Sequence, residues 1–327
     1  MKPKVFLVVA IILLSLLISF PIYAEKKEGV EYPTKPITII VPWGTGGMTD
    51  VSNRMLAEYL KKELGQPVVI VNKPGASGII GLRAGLSEKP DGYTIIGGPM
   101  TLALTSPYFQ GAEPFDIDGI KFVGSYMPQE RILMAPVEAP YKTFEEFIEY
   151  VKQHPGEVSV GSGGAQWALE VIKSIAVKHN LKMKYVMFKS GGAASSAILG
   201  RHVDVCETGV GTPAYQACRK GELRILVDLG SERVPYFPEV KNLKELGYPF
   251  QTVLEYGWVV HGDVPEEIRQ KLEDTLHKIM QNPELIKKMK DLGFVPRFLP
   301  GKEYEKICRD AVASIPKLIE YNKALKE

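Results

Sequence analysis

The sequence predicts an α/β protein folded as two lobes with a cleft between them. Three observations predict it. Apolar, β-rich runs alternate with helical patterns over most of the chain, a turn of small residues follows many of the runs, and two places look like passages from one lobe to the other. Continuous apolar strands separated by helices imply parallel sheets covered on both faces. A chain of 327 residues is long enough to bury two such cores.

In chain order, residues 1–24 come first. Lys2 and Lys4 precede an apolar stretch from Val5 to Phe20 broken only by two serines, and Pro21-Ile22-Tyr23-Ala24 follows. That is the three-part pattern of a secretory signal peptide, with cleavage expected after Ala24. The apolar stretch falls short of the ~20 residues a membrane-spanning helix needs. Residues 25–30 read as a polar linker. Removing the leader leaves 38 basic and 38 acidic residues, so the mature chain is formally neutral. Without a basic stripe, nucleic acid is excluded as a partner class. Cys206, Cys218 and Cys308 are too few for a disulfide scaffold and read as small buried hydrophobes.

Strands are expected at 37–42, 68–73, 93–98, 121–127, 131–136, 158–161, 184–189, 203–209, 224–230 and 256–262. Helix 50–64 places Val51, Met55, Tyr59 and Leu60 on one face, with Gly65 as its C-cap. Other helices are expected at 143–153, 165–180, 213–220 and 265–280. The runs 121–127 and 131–136 suggest a first passage between lobes and 224–230 a second. The first lobe is then 31–128 plus 232–327, and the second 129–231. Two passages at similar depth suit a hinge.

The turns are the candidate site. They are Trp43-Gly44-Thr45-Gly46-Gly47 with Thr49 and Asp50; Pro74–Gly78 with Ser77; Thr101 after strand 93–98; Ser162-Gly163-Gly164-Ala165-Gln166-Trp167; Lys189-Ser190-Gly191; and Glu207-Thr208. In open α/β sheets ligands bind at the carboxyl ends of strands. Glycine admits a ligand close to the backbone, and N–H groups at helix starts hold anions. Tight turns also use these residues for local reasons, and Asp50 can serve as a helix cap or face the ligand. Arg54, one helical turn on, is placed to pair with Asp50.

Enzyme motifs are missing. GTGGMTD lacks both the GK[ST] ending of a phosphate loop and the G-x-G-x-x-G of a dinucleotide fold. No G-x-S-x-G elbow occurs, and the five histidines show no metal-ligand spacing. Binding without chemistry is the reading these residues favour, with neither cofactor nor metal.

Several stretches carry a family resemblance. They are Tyr32-Pro33 with Lys35-Pro36-Ile37, Gly46-Gly47 with Asp50 and Arg54, Gly65-Gln66-Pro67-Val68, Asn72-Lys73-Pro74-Gly75-Ala76, Pro90-Asp91-Gly92-Tyr93-Thr94 and Gly257-Trp258. In this order they resemble the Bug family, the periplasmic solute receptors of tripartite tricarboxylate transporters, over essentially the whole mature chain. The resemblance implies a monomeric, type II-like Venus-flytrap receptor that closes on a small carboxylate held through backbone N–H groups and small side chains. It also implies delivery to a permease with a large and a small membrane subunit. A sensor built on the same cleft, and a secreted enzyme acting on a small acid, are the competing readings. The chain departs from the family pattern with Trp167 where a His is common, with Glu207-Thr208 at a strand end, and with a charged hinge at Gln129-Glu130-Arg131. These departures suggest a mono- or dicarboxylate with an apolar or aromatic body packed on Trp43 or Trp167.

Overall fold

The structure is a computed structural model that describes residues 31–230, 233–234 and 236–324. The expected signal peptide, its cleavage point and the linker at 25–30 lie outside the described residues. Among the described residues, no helix is long and apolar enough to cross a membrane.

One sheet has six strands and the other five. The first takes β1 (Ile37–Val41), β2 (Val68–Asn72), β3 (Thr94–Pro99), β4 (Ile120–Pro128), β10 (Glu255–His261) and the short β11 (Leu299–Pro300). Its order is β11-β4-β10-β3-β1-β2. The second takes β5 (Arg131–Pro136), β6 (Ser159–Ser162), β7 (Lys184–Met187), β8 (Val205–Gly209) and β9 (Leu223–Asp228). Its order is β7-β6-β8-β5-β9. Every strand expected from the apolar runs is present, because most are covered on both faces and so lack polar alternation.

The expectation of purely parallel sheets needs correcting. Strand β10 runs antiparallel to both β3 and β4, and β5 runs antiparallel to both β8 and β9. The reason is topological. Each of these strands enters its sheet from the other lobe, against the direction of the strands laid down by local β-α-β units.

Helices α1 (Met48–Leu64), α2 (Ile79–Leu86), α3 (Met100–Gln110), α8 (Glu266–Ile279) and α9 (Pro283–Asp291) accompany the first sheet in sequence, and α4 (Phe144–Gln153), α5 (Gln166–Lys178), α6 (Gly191–Leu199) and α7 (Pro213–Arg219) the second. Gly65 ends α1 in the left-handed region, its N–H donating to the Lys61 carbonyl. The buried face of α1 matches the apolar pattern only in part. Ser52, Asn53, Leu56, Ala57, Tyr59 and Leu60 are buried, while Val51 and Met55 are half-buried. Asn53 goes inward because its amide is spoken for there. The Trp258 indole N–H donates to Asn53 Oδ1 at 2.8 Å, and Asn53 Nδ2 donates to Tyr126 Oη at 3.1 Å.

The chain does not leave the second lobe's cores at residue 231. Val234 packs with Ile132 and Met134, and Leu243 and Tyr248 with Leu133 and Val227. The final helix, α10 (Gly301–Ala324), joins two cores. Tyr304 and Cys308 pack with Phe122 and Val259, whereas Ala311, Ile315 and Leu318 pack with Phe147 and Val171. The three cysteines are buried free thiols.

Candidate functional site

The carboxyl ends of β1, β6, β7 and β8 each run through a short turn into α1, α5, α6 and α7. These turns face one another across a cleft of about 650 Å³. From the first lobe, Trp43, Thr45, Gly46, Gly47 and Thr49 form its wall; from the second come Gly163, Gly164, Ala165, Lys189, Ser190 and Gly191. Helices α1, α5 and α6 all begin at wall residues, so the positive ends of three helix dipoles converge there. Neither Gly47 nor Ala165 caps its helix with a side chain, whereas the Ser190 hydroxyl accepts from the Ala193 N–H.

The remaining expected residues lie off the wall. Asp50 is buried beneath the first turn, where its carboxylate accepts from the Gly46 N–H at 2.9 Å, from Arg54 Nε at 3.0 Å and from Asn72 Nδ2 at 3.0 Å. Burial raises its pKa, but the hydrogen bonds from Arg54, Gly46 and Asn72 outweigh that and hold it below the ordinary carboxylate value. The glycine-rich turn therefore already holds an anion, one supplied by the protein itself. Thr101 is buried, its hydroxyl accepting from the Glu255 N–H, and the Ser77 carbonyl accepts from Ser106. Gln166 Nε2 donates along its own helix to Glu170. Trp167 is buried in a core of the second lobe and lines a separate cavity of about 350 Å³, with Phe250, Leu254 and Ile307. Trp43 is thus the tryptophan at the cleft wall.

Ser162, Glu207 and Thr208 sit just behind the floor, and they explain a residue the sequence reading did not place in the site. Strand β8 lies between β6 and β5, with Ser162 directly opposite Glu207 on one side and Leu133 opposite it on the other. Arg131, two residues before Leu133, reaches diagonally to the Glu207 carboxylate through Nε. Glu207 also accepts from Ser162 Oγ at 2.7 Å and from the Gly163 N–H at 3.4 Å. Arg131 lines the cleft. Its Nη2 and the Thr208 Oγ1 are buried and have no hydrogen-bond partner among the described residues. Both lie under glycine. A Cβ on Gly163 would stand 3.2 Å from Thr208 Oγ1 and 3.3 Å from Arg131 Nη2, and one on Gly191 would stand 2.8 Å from Thr208 Oγ1. Glycine at both positions lets the backbone pack directly over these polar atoms, where a side chain would crowd them. The signal in the sequence is the unusual charge of the hinge at Gln129-Glu130-Arg131.

Much of the rest of the first-lobe wall is apolar. Leu102 and Leu254 pack with Ala165 and Trp43, and Met48, Leu292 and Phe294 complete it. The Tyr256 phenol, pushed up to about 12 by burial, stays neutral and donates to Gln129 Oε1 at 3.0 Å. Gln129 bridges the lobes, with Nε2 donating to Met48 Sδ at 2.9 Å and to the Val210 carbonyl at 3.3 Å. Among the described residues, no group of three potential metal ligands comes together.

Two sheets joined by crossing strands, with a cleft lined from both lobes, define a solute-binding protein of the periplasmic-binding type. Residues 52–323 match the tripartite tricarboxylate transporter family receptor, and the chain belongs to that family. The "UPF0065 protein in gbd 5'region" of Cupriavidus necator is 30% identical over 297 residues, which cover 90% of each chain. BugT of Bordetella pertussis is 32% identical over 226 residues, covering 67% of this chain and 68% of BugT. A TctC solute-binding protein from Polaromonas superposes with a TM-score of 0.73 at 27% identity, covering 88% of this chain and 99% of that one. MatC of Rhodopseudomonas palustris, solved with bound malate, is 24% identical with a TM-score of 0.74 over 88% of this chain and 100% of its own, a likeness of fold. The family and these solved relatives are solute-binding proteins rather than enzymes.

Proposed function

We propose that this protein captures a small carboxylate in the cleft between its lobes, in the periplasm, and delivers it to a two-subunit membrane permease. The observation that carries the reading is a buried pair of polar atoms, Arg131 Nη2 at the floor and Thr208 Oγ1 just behind it, beneath Gly163 and Gly191 and without a partner among the described residues. A buried polar group without a partner is costly, and a bound carboxylate oxygen would satisfy both. The converging helix N-termini add to the same sign of potential. Malate bound to MatC supports a carboxylate as the ligand class.

Ligand favours the closed form because only that form brings donors of the second lobe and the Trp43–Thr49 wall onto it together. A micromolar affinity corresponds to about −8 kcal/mol. Charge-assisted hydrogen bonds of roughly 1.5–3 kcal/mol each supply much of that before ordering costs are subtracted. Closure then marks the receptor as loaded.

Native mass spectrometry of the protein from a periplasmic extract, followed by denaturing release, tests capture. A carboxylic acid at near one-to-one stoichiometry is expected, and Thr208→Val should weaken its rebinding about tenfold, the worth of one good hydrogen bond. No released acid, and no acid in a calorimetric panel that binds, would end the reading. N-terminal sequencing of the same material should begin at Glu25. Delivery is checked by co-purifying both permease subunits with loaded but not with empty receptor.

A further inference from the structure

We propose that the site selects ligands with a single carboxylate on an apolar body and discriminates against diacids, with Glu207 as the residue that sets this choice. The inference rests on the carboxylate reading of the cleft and goes beyond it. The protein's own carboxylates already draw on two of the groups that could counter a negative charge.

The first is the Gly44–Gly47 turn at the start of α1. Asp50 takes its Gly46 N–H, and Arg54, the adjacent cation, is engaged on Asp50 as well. The second is the floor. Among the described residues lining the cleft, the cationic side chains are Arg131 and Lys189. Arg131 is paired to the fully buried Glu207, and Lys189 is exposed, where solvent screens it. Arg131 thus keeps a directional donor, Nη2, but little net charge to offer.

One ligand carboxylate fits this floor, its oxygens taken by Nη2 and Thr208 Oγ1 as the covering turns at Gly163 and Gly191 shift on binding. A second carboxylate on the same ligand would be carried against Trp43, Leu102, Leu254 and Phe294. Among the described residues no cation lines that part of the cleft to offset its desolvation, and an uncompensated charge against apolar groups is costly. An alkyl or aryl end gains from the same surface.

Calorimetric titration of the mature protein with matched acids tests this. The probes are hexanoate against adipate and benzoate against terephthalate, each pair differing by one terminal carboxylate. The monoacid is expected to bind at least about tenfold more tightly in each pair. Diacids binding equally well or better would overturn the selectivity while leaving carboxylate capture standing. No binding by any acid in a wider panel would remove both. Two variants then test the cause. Glu207→Gln, which restores a net charge to the floor, should move the ratio about tenfold toward the diacid. Leu292→Lys adds a cation at an exposed wall position and should move it the same way, by a few-fold. A general loss of stability weakens both acids alike, so a ratio unmoved by the variants overturns the proposal.

Discussion

Removing the cation from the floor gives the most informative stability test. In Arg131→Met the Glu207 carboxylate stays fully buried and loses its only cationic partner among the described contacts. It keeps Ser162 Oγ at 2.7 Å and the Gly163 N–H at 3.4 Å. Breaking a buried ion pair from one side costs about 3–5 kcal/mol, because the remaining charge is left uncompensated. Two surviving neutral donors place this case at the lower end, about 3 kcal/mol. At about 1.6 °C per kcal/mol for a chain of about 300 residues, the melting temperature should fall by roughly 5 °C. The double variant Arg131→Met with Glu207→Gln removes the stranded charge and should recover more than half of the loss. Urea unfolding followed by far-ultraviolet circular dichroism, with wild type, both single variants and the double variant, completes the cycle. A single-variant loss below about 1 kcal/mol, the range of an exposed pair, would refute the buried-pair argument. So would a double variant no more stable than Arg131→Met.

Three further outcomes are expected. Asn53→Leu strands the Trp258 indole N–H and one contact of the Tyr126 hydroxyl, so urea unfolding should show a loss of about 2–4 kcal/mol from unsatisfied buried donors. Asp50 has a depressed folded pKa, so its contribution is present above its unfolded value of about 3.9 and is lost as pH falls through the folded one. Urea midpoints taken from pH 5 down to 2.5 should therefore drop less steeply in Asp50→Asn, and an identical slope would contradict the assignment. Trp43→Ala should weaken calorimetric ligand affinity at least about tenfold by removing an aromatic wall, while Trp167→Phe should leave it within about twofold and lower only stability.

The parts of this molecule that could be read from sequence are those whose cause is local. Strand runs such as ITIIV and RILMA are apolar because layers cover both faces, and Gly65 ends α1 because its backbone needs the left-handed region. Glycine-rich turns marked the cleft wall for a similar reason. The Arg54–Asp50 pair, one helical turn apart, was legible too, whereas contacts set by register and rotation between distant elements were not. Trp167 lies two residues past the cleft-facing Ala165, which is the N-cap, yet it is buried in the second lobe's core. Asn53 lies outside the face the apolar pattern picks, yet a tryptophan 205 positions distant holds it inside. Asp50 was legible as a cap or a contact but not as the anion that fills its own turn. The same limit hides the charge balance of the floor. In the sequence Arg131 and Glu207 are 76 residues apart and each reads as a hinge or strand-end charge. The diagonal register of β5 on β8, together with the pairing of β6 on the other side, makes them one neutral unit beneath two glycines. Ligand charge is therefore a property of strand register, and counting basic residues around the cleft would overestimate how many carboxylates the site accepts.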